Sequence, residues 1–104
     1  DFYSGGKARP EDILLLIEVA DTTVHSDRQI KIPLYARAGV PETWLVNLPR
    51  KIVEVYTAPK NGKYQVVRKA GKSETLQPQL IADLSIKVAD IFGYFRRFGF
   101  FAAG

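Results

Sequence analysis

The chain has 104 residues, of which 46% are hydrophobic and 25% are charged, a composition typical of one globular domain and not of a disordered segment. It contains no cysteine, which excludes disulfides, thiolate metal sites and cysteine nucleophiles. Because no apolar run approaches the roughly 20 residues of a membrane span and no signal segment opens the chain, we expect a cytoplasmic protein without a membrane partner.

Positive charge is concentrated in the second half of the chain. Residues 1 to 54 hold seven Lys and Arg residues against eight Asp and Glu, a net charge of −1, whereas residues 55 to 104 hold eight against three, a net charge of +5. A basic surface attracts phosphate backbones by releasing counterions, but a solvated, solubilising surface has the same composition. The charge therefore allows a nucleic-acid partner without requiring one.

The first predicted element is a strand over residues 12 to 20, after a polar, Gly-rich loop. Five consecutive apolar residues, Ile13 to Ile17, are typical of a strand in a parallel sheet that is covered on both faces. Glu18 follows at once, so this apolar strand carries a carboxylate near its end. The chain contains no methionine, not even at position 1, and we expect an N-terminally incomplete single domain over residues 1 to 104.

A helix is predicted next. Ser26 and Gln29 have the spacing of a capping box, and apolar residues then recur at intervals of four. Pro33 lies inside this segment and would remove one backbone hydrogen bond, which predicts a kink or a helix that begins at Pro33. The predicted helix ends at Gly39 and buries Ile30, Leu34 and Ala38.

The remaining elements complete an α/β (α+β) fold. A strand over residues 43 to 48 closes a right-handed, parallel βαβ crossover. Strands over residues 52 to 57 and 64 to 69, joined through Asn61 and Gly62, should then pair as antiparallel hairpins. After short extended pieces, a short C-terminal helix should place four apolar residues on one side: Val88, Ile91, Phe92 and Phe95.

An aromatic tail, residues 94 to 104, ends the chain. Four phenylalanines lie in the last ten residues, and apolar groups of this size are costly to leave in water. The surface that covers them could belong to a missing N-terminal portion or to a second copy of the chain, which would make the protein a homo-oligomer.

Glu18 is the first candidate functional residue. Asp12 shares its strand face but lies about 20 Å away at ~3.3 Å per residue, so one ion cannot bridge the two carboxylates. Glu18 lies near the carboxyl end of a parallel strand, where open α/β sheets usually bind ligands. Such a carboxylate could hold Mg²⁺, and Lys31 could offer its charge to a phosphate in the same crevice.

The structural alternative needs no metal. Glu18 could be partly solvated at the strand end, and Asp27 with Lys31 would form an i,i+4 surface pair worth only about 0.2–0.5 kcal/mol. Spacing alone favours this simpler interpretation. His25 is expected in an exposed loop. Trp44 alternates with Val46, so core packing is favoured for it over stacking on a nucleic-acid base.

Longer stretches of the sequence resemble a known family. "PEDILLLIEVADTTVHSDRQIKIPLYARAGVPETWLVNLPRKIVEVY", "GKYQVVRKAGKSETLQP" and "KVADIFG" closely resemble the Uma-two family of putative restriction endonucleases, in the PD-(D/E)XK nuclease-like superfamily. The resemblance covers roughly residues 9 to 93. Its most specific pieces are the Glu-Val-Ala strand end, the Asp-Arg-x-x-Lys helix turn, "YARAGVPE" and "WLVN".

The resemblance implies a metal-dependent phosphodiesterase site on a restriction-endonuclease-like mixed sheet. Glu18 matches the acidic, metal-binding residue of the (D/E)XK half-motif, and Lys31 matches a helix lysine that replaces the usual lysine, here Ala20. The family's other metal-binding aspartate belongs to a Pro-Asp strand upstream of the loop with which this chain begins. We therefore expect the chain as given to bind Mg²⁺ weakly and to cut DNA poorly or not at all.

Two hypotheses remain open at this point. The first is an endonuclease that hydrolyses DNA with Mg²⁺ or Mn²⁺, with Glu18 as metal ligand and Lys31 as charge stabiliser. The second is a noncatalytic interaction module or domain fragment that keeps the nuclease-like fold. In the first hypothesis five basic residues would contact the duplex: Arg28, Lys60, Lys63, Arg68 and Lys69.

Overall fold

A computed structural model describes residue 9 and residues 12 to 98 of the chain, with side chains as far as residue 95. The strands are β1 (Leu16–Ala20), β2 (Glu42–Asn47), β3 (Ile52–Lys60), β4 (Lys63–Ala70), β5 (Thr75–Leu76) and β6 (Ile86–Lys87). The helices are α1 (Val24–Ser26), α2 (Ile32–Arg37) and α3 (Val88–Phe98). A π-helical turn, Asp27–Lys31, joins α1 to α2, and we call the continuous segment 24–37 the crossover helix.

The main sheet is mixed, as predicted. Its strand order is β1-β2-β3-β4; β1 and β2 are parallel, whereas β2 with β3 and β3 with β4 are antiparallel. The crossover helix connects the parallel pair, and β5 with β6 forms a separate antiparallel pair. The predicted α/β class with a βαβ unit, antiparallel hairpins and a C-terminal helix is confirmed.

The predicted ranges of both strands in the parallel pair need correction. β1 begins at Leu16 and not at residue 12, because the chain before it forms a turn in which the Asp12 N–H donates to the Arg9 carbonyl at 2.9 Å. β2 begins and ends one residue earlier than predicted. All six residues of β2 are buried, which agrees with a central strand covered on both faces.

The prediction of which side of the crossover helix is buried is wrong. Ile30 is 60% exposed and Leu34 is 48% exposed, and Ala38 is also exposed. The residues that are buried instead are Asp27, Ile32 and Ala36. The sheet surface beneath the helix carries the carboxylates of β1 and β3, so the helix turns a partly polar face towards it.

The helix also begins earlier than predicted and accommodates Pro33 without breaking. Ser26 lies inside the helix and makes no side-chain cap. The π-helical turn ends two residues before Pro33, with the Ile32 N–H bonded to the Asp27 carbonyl. This wider turn relieves the clash that a proline ring makes with the carbonyl four residues earlier. The helix ends at Arg37, close to the predicted stop at Gly39, which follows the C-cap residue Ala38 and has a φ of 86°.

Two apolar clusters lie on opposite faces of the sheet. The cluster under the crossover helix contains Ala20, Ile32, Leu45 and Tyr56. The larger cluster, under β5, β6 and α3, contains Trp44, Val46, Val53, Val55, Ala70, Leu76, Val88 and Phe92. As predicted, α3 buries Val88 and Phe92, with Ile91 and Phe95 packed beside them.

The β3–β4 hairpin turns at Asn61 and Gly62, as predicted. Both residues have positive φ values, 55° and 77°, as the tight two-residue turns of hairpins require. Of the predicted aromatic tail, Tyr94 to Phe98 belong to α3, and residues 99 to 104 lie outside the described residues. No helix in the described part of the chain is long and apolar enough to span a membrane.

Candidate active site

Glu18 and Lys31 lie together between β1 and the crossover helix. Glu18 is in the middle of β1 and only 4% exposed, and its side chain points to the helix side of the sheet. Lys31 ends the π-helical turn and places its Nζ 3.4 Å from Glu18 Oε2. The structure therefore brings together the two residues that the sequence selected as a candidate pair.

Tyr35 makes the shorter contact with the Glu18 carboxylate. Its hydroxyl donates to Glu18 Oε1 at 2.6 Å, a typical length for an O–H donor on a charged oxygen. Burial, together with the hydrogen bond to Glu18, raises the pKa of Tyr35 above its ordinary value. Tyr35 thus stays protonated at neutral pH and acts as a hydrogen-bond donor.

Asp27 faces Lys31 from the start of the π-helical turn. Its Oδ1 lies 3.5 Å from Lys31 Nζ, and its Oδ2 accepts a 2.9 Å hydrogen bond from Thr23 Oγ1. Asp27 is only 3% exposed, so its contact with Lys31 is not the fully exposed surface pair of the simpler interpretation. The Lys31 ammonium lies within reach of two buried carboxylates, one on the sheet and one on the helix.

A second polar cluster lies two strands away. Arg28 donates through Nε to Glu54 Oε1 at 2.9 Å and through Nη2 to Oε2, and the Tyr56 hydroxyl also donates to Oε1. Burial acts to raise the pKa of Glu54, but the hydrogen bonds from Arg28 and Tyr56 outweigh it and lower the pKa below its ordinary value. Arg28, predicted to contact DNA, here has an internal partner.

Sequence reasoning missed Tyr35 as a neighbour of Glu18. The spacing of three residues could have predicted this contact. Asp27, Lys31 and Tyr35 recur at intervals of four and therefore share one side of a helix. The apolar residues at 30, 34 and 38 have the same spacing and make the more conventional buried stripe. No such spacing could have predicted the two hydrogen bonds between Arg28 and Glu54, since the two residues are 26 positions apart.

The other predicted DNA contacts do not form one patch. Lys60 and Lys63 are exposed and directly paired at the end of the β3–β4 hairpin. Lys69 lies opposite Glu54 in the register of β3 and β4, so its side chain points to the helix side of the sheet. The neighbouring Arg68 points to the other face. There Arg68 forms a 3.0 Å ion pair with Glu74. Only part of the predicted basic surface therefore shares a side of the sheet with Glu18.

His25 and Trp44 occupy the environments expected of them, except that His25 is in α1 and not in a loop. His25 is exposed. Trp44 is fully buried in the larger cluster, and its Nε1 donates to Glu42 Oε2 at 2.7 Å. The base-stacking role considered for Trp44 is incompatible with this burial.

Glu18 can supply part of the coordination shell of a divalent ion. Within the described part of the chain, no three His, Cys, Asp or Glu residues are arranged to hold a metal. A carboxylate offers about four lone-pair sites, of which Tyr35 and Lys31 use two. Mg²⁺ accepts one or two protein carboxylates and fills its other positions with water and phosphate oxygens. Glu18 can therefore serve as one protein ligand, not as a complete cage.

The solved structure of a putative nuclease has a similar fold. It is described as a "putative nuclease belonging to DUF820" from Anabaena variabilis ATCC 29413, is 18% identical, and superimposes with a TM-score of 0.62 over 77% of this chain. The chain spans 44% of that protein. No curated protein matches the chain significantly. The model of the Uma2 family, described as "Putative restriction endonuclease", matches residues 3–89, and the chain belongs to this family.

Proposed function

We propose that the protein is a nuclease that hydrolyses DNA phosphodiester bonds with Mg²⁺ or Mn²⁺, and that Glu18 and Lys31 are its catalytic residues. The observation that carries the proposal is the 3.4 Å approach of Lys31 Nζ to Glu18 Oε2 at a shared site between sheet and helix. Membership of the Uma2 family and the nuclease-like fold support it. The roles of the two residues follow from their chemistry.

Glu18 would be the protein ligand of the ion. Its carboxylate is a hard oxygen donor, and a bound divalent ion would supply Lewis-acid polarisation of a phosphoryl oxygen. The side chain of Lys31 is 25% exposed, so its ammonium group can be reached from solvent. That ammonium would stabilise the negative charge that builds on the phosphate during attack by water.

Basic residues outside this site would hold the duplex. Lys69 lies in the same row of the sheet as Glu18, three strands away through Leu45 and Glu54, which corresponds to about 14 Å at ~4.8 Å per strand. Lys60 and Lys63 extend the positive charge to the end of the hairpin. Such contacts position a phosphate backbone without reading its sequence.

One observation favours the second candidate, a noncatalytic module with a nuclease-like fold. In the part of the chain that the structure describes, Glu18 is not joined by two further metal-ligand residues. Asp27, the carboxylate on the other side of Lys31, already has Thr23 and Lys31 as partners. A site with one protein carboxylate binds an ion weakly, and the chain would then bind DNA without cutting it.

Cleavage of supercoiled plasmid DNA with Mg²⁺ or Mn²⁺ tests the proposal. We expect slow nicking, or none, by the wild-type chain. Where nicking is measurable, Glu18→Gln and Lys31→Ala should each lower its rate by about 100-fold or more, as removal of a group that stabilises transition-state charge usually does. The matched controls are Asp83→Asn and Lys72→Ala, which change the same chemical groups at exposed positions. Both controls should cut at the wild-type rate.

The possible results separate the two candidates. Cleavage that survives both Glu18→Gln and Lys31→Ala would remove these residues from the site. A wild-type chain that binds the plasmid but never nicks it, even at millimolar Mn²⁺, and that binds Mn²⁺ no better than its Glu18→Gln variant, would support the noncatalytic module.

A further inference from the structure

We propose that Tyr35 is a positioning residue that fixes the orientation of the Glu18 carboxylate towards the metal ion. This inference rests on the proposed function, because it concerns the same site. The Tyr35 hydroxyl donates its hydrogen bond to Glu18, so its effect on an ion would act through the carboxylate.

The helix brings two donors to the carboxylate from successive turns. Lys31 and Tyr35 are four residues apart on the crossover helix, and each reaches a different oxygen of Glu18. The contact of Tyr35 with Oε1 is 2.6 Å long, whereas that of Lys31 with Oε2 is 3.4 Å long. Tyr35 therefore makes the tighter contact, and Oε2 is the oxygen with more freedom to accept an ion.

Without this hydroxyl the carboxylate would lose its orientation. The last torsion of a glutamate side chain is broad and roughly two-fold, so the covalent structure does not select one arrangement of the two oxygens. Removal of the Tyr35 hydroxyl would take away the 2.6 Å contact with Oε1 and leave the 3.4 Å contact of Lys31 with Oε2. Residues that hold a ligand in this way commonly change metal affinity by about 10–100-fold when they are mutated.

The ring of Tyr35 also packs against the apolar cluster under the crossover helix. A test of the hydrogen bond must therefore remove the hydroxyl alone. Tyr35 lies against the cluster of Ala20, Ile32, Leu45 and Tyr56, so an alanine would disturb that cluster as well. Tyr35→Phe keeps the ring. Tyr64→Phe is the matched control, because Tyr64 packs on the same cluster but its hydroxyl donates to the Val40 carbonyl at 2.8 Å and contacts Thr43, not Glu18.

The experiment is a Mn²⁺ titration of the ¹⁵N-labelled chain, followed by paramagnetic broadening of backbone amide signals. In the wild type we expect broadening centred on β1 around Glu18, and its concentration dependence gives an apparent Kd. Tyr35→Phe should raise this Kd by about 10-fold or more, and Tyr64→Phe should leave it within about twofold. Urea unfolding of all three chains ensures that only folded protein is compared, and Tyr35→Leu, which is apolar and also lacks a donor, is titrated if the phenylalanine variant is unfolded.

The outcomes distinguish the role of Tyr35 from the proposed function. An unchanged or lower Kd in the Tyr35 variant, beside localised binding in the wild type, would overturn the role of Tyr35 and leave the proposed function standing. No localised broadening around Glu18 in the wild type would overturn both. A Kd that rises equally in Tyr35→Phe and Tyr64→Phe would show a general packing effect and would also overturn the role of Tyr35.

Discussion

Three carboxylates are buried between the crossover helix and the sheet, and each has its own donors. Glu18, Asp27 and Glu54 are at most 4% exposed, and such groups are costly to bury unless they are paired and hydrogen-bonded. In the described part of the chain, no buried side-chain nitrogen or oxygen lacks a hydrogen-bond partner. At the scale of single residues, this layer is held by specific polar contacts as much as by apolar packing.

Glu54 should make the stability of the protein depend on pH. Its pKa is lower in the folded chain than the ordinary value of about 4.3, so its contribution is complete at neutral pH and is lost as the pH falls through the lower folded value. We expect Glu54→Gln to reduce the free energy of unfolding at pH 7 by about 1–3 kcal/mol. The loss is less than that of a fully buried pair, because the Arg28 side chain is 40% exposed.

Urea unfolding at pH 7, 5 and 3 measures this effect. The difference between the wild type and Glu54→Gln should narrow at the lowest pH, where the wild-type carboxyl is also becoming neutral. Glu74→Gln is the control, since the Glu74–Arg68 pair is exposed and should contribute less than about 1 kcal/mol. A difference that is the same at all three pH values would contradict the assignment.

The crossover helix is the element that assembles the site. Arg28 and Lys31 both lie in the π-helical turn, and they bind carboxylates on β3 and β1, two strands apart. The turn is thus tied to the sheet at two points about 10 Å apart, at ~4.8 Å per strand. This double attachment explains why the helix keeps a polar face inward and leaves Ile30 and Leu34 exposed.

The β3–β4 hairpin supports the same helix from its far end. Gly62 has a φ of 77°, and a Cβ at this position would lie 3.0 Å from Arg37 Cγ on α2. We expect Gly62→Ala to destabilise the protein by about 1–2 kcal/mol, because alanine is strained at positive φ and also crowds Arg37. The measurement is the urea midpoint compared with that of the wild type.

Gly71→Ala is the matched control for this substitution. Gly71 is not among the positive-φ glycines of the described residues, and a Cβ there meets no heavy atom within 4 Å. Its effect should stay within about 0.5 kcal/mol. Equal effects of the two substitutions would show that the conformation of the turn and the contact with Arg37 do not matter.

For the molecule as a whole, the sheet separates a side with buried carboxylates and a small apolar cluster from a side with the larger apolar cluster. The crossover helix covers the charged side, whereas β5, β6 and α3 cover the larger apolar cluster that includes Trp44. Exposed lysines at the hairpin end and on β4 add positive charge from the basic half of the chain. In the proposed function, this positive charge would attract a nucleic acid over a long range towards the site at Glu18.

Salt dependence of DNA binding tests this electrostatic contribution. Lys60→Ala combined with Lys63→Ala should weaken binding to duplex DNA and reduce the slope of log K against log salt by about 2, or ~0.9 for each phosphate that is no longer neutralised. The control combines Lys72→Ala with Lys87→Ala, two exposed lysines elsewhere. Fluorescence anisotropy at several salt concentrations gives the slopes, and equal slopes in both double variants would mean that the hairpin lysines have no special role.

The sequence by itself determined the elements whose signals are local. The Asn61-Gly62 pair fixed the hairpin, the apolar spacing of α3 identified its buried side, and the strand-helix-strand pattern identified the parallel pair. It also selected Glu18 and Lys31, which the fold places 3.4 Å apart. Turn chemistry and periodicity carry this information because they depend on neighbouring residues and need no knowledge of distant ones.

Only the tertiary structure decided which side of the crossover helix faces the sheet. Hydrophobic periodicity assumes an apolar partner surface, and it selected Ile30 and Leu34, which are exposed. The partner surface here carries Glu18 and Glu54, so the inward stripe includes Asp27, Arg28, Lys31 and Tyr35. Pairing of buried charges across 13 to 26 positions of sequence leaves no local pattern, and for this physical reason it becomes visible only in the folded chain.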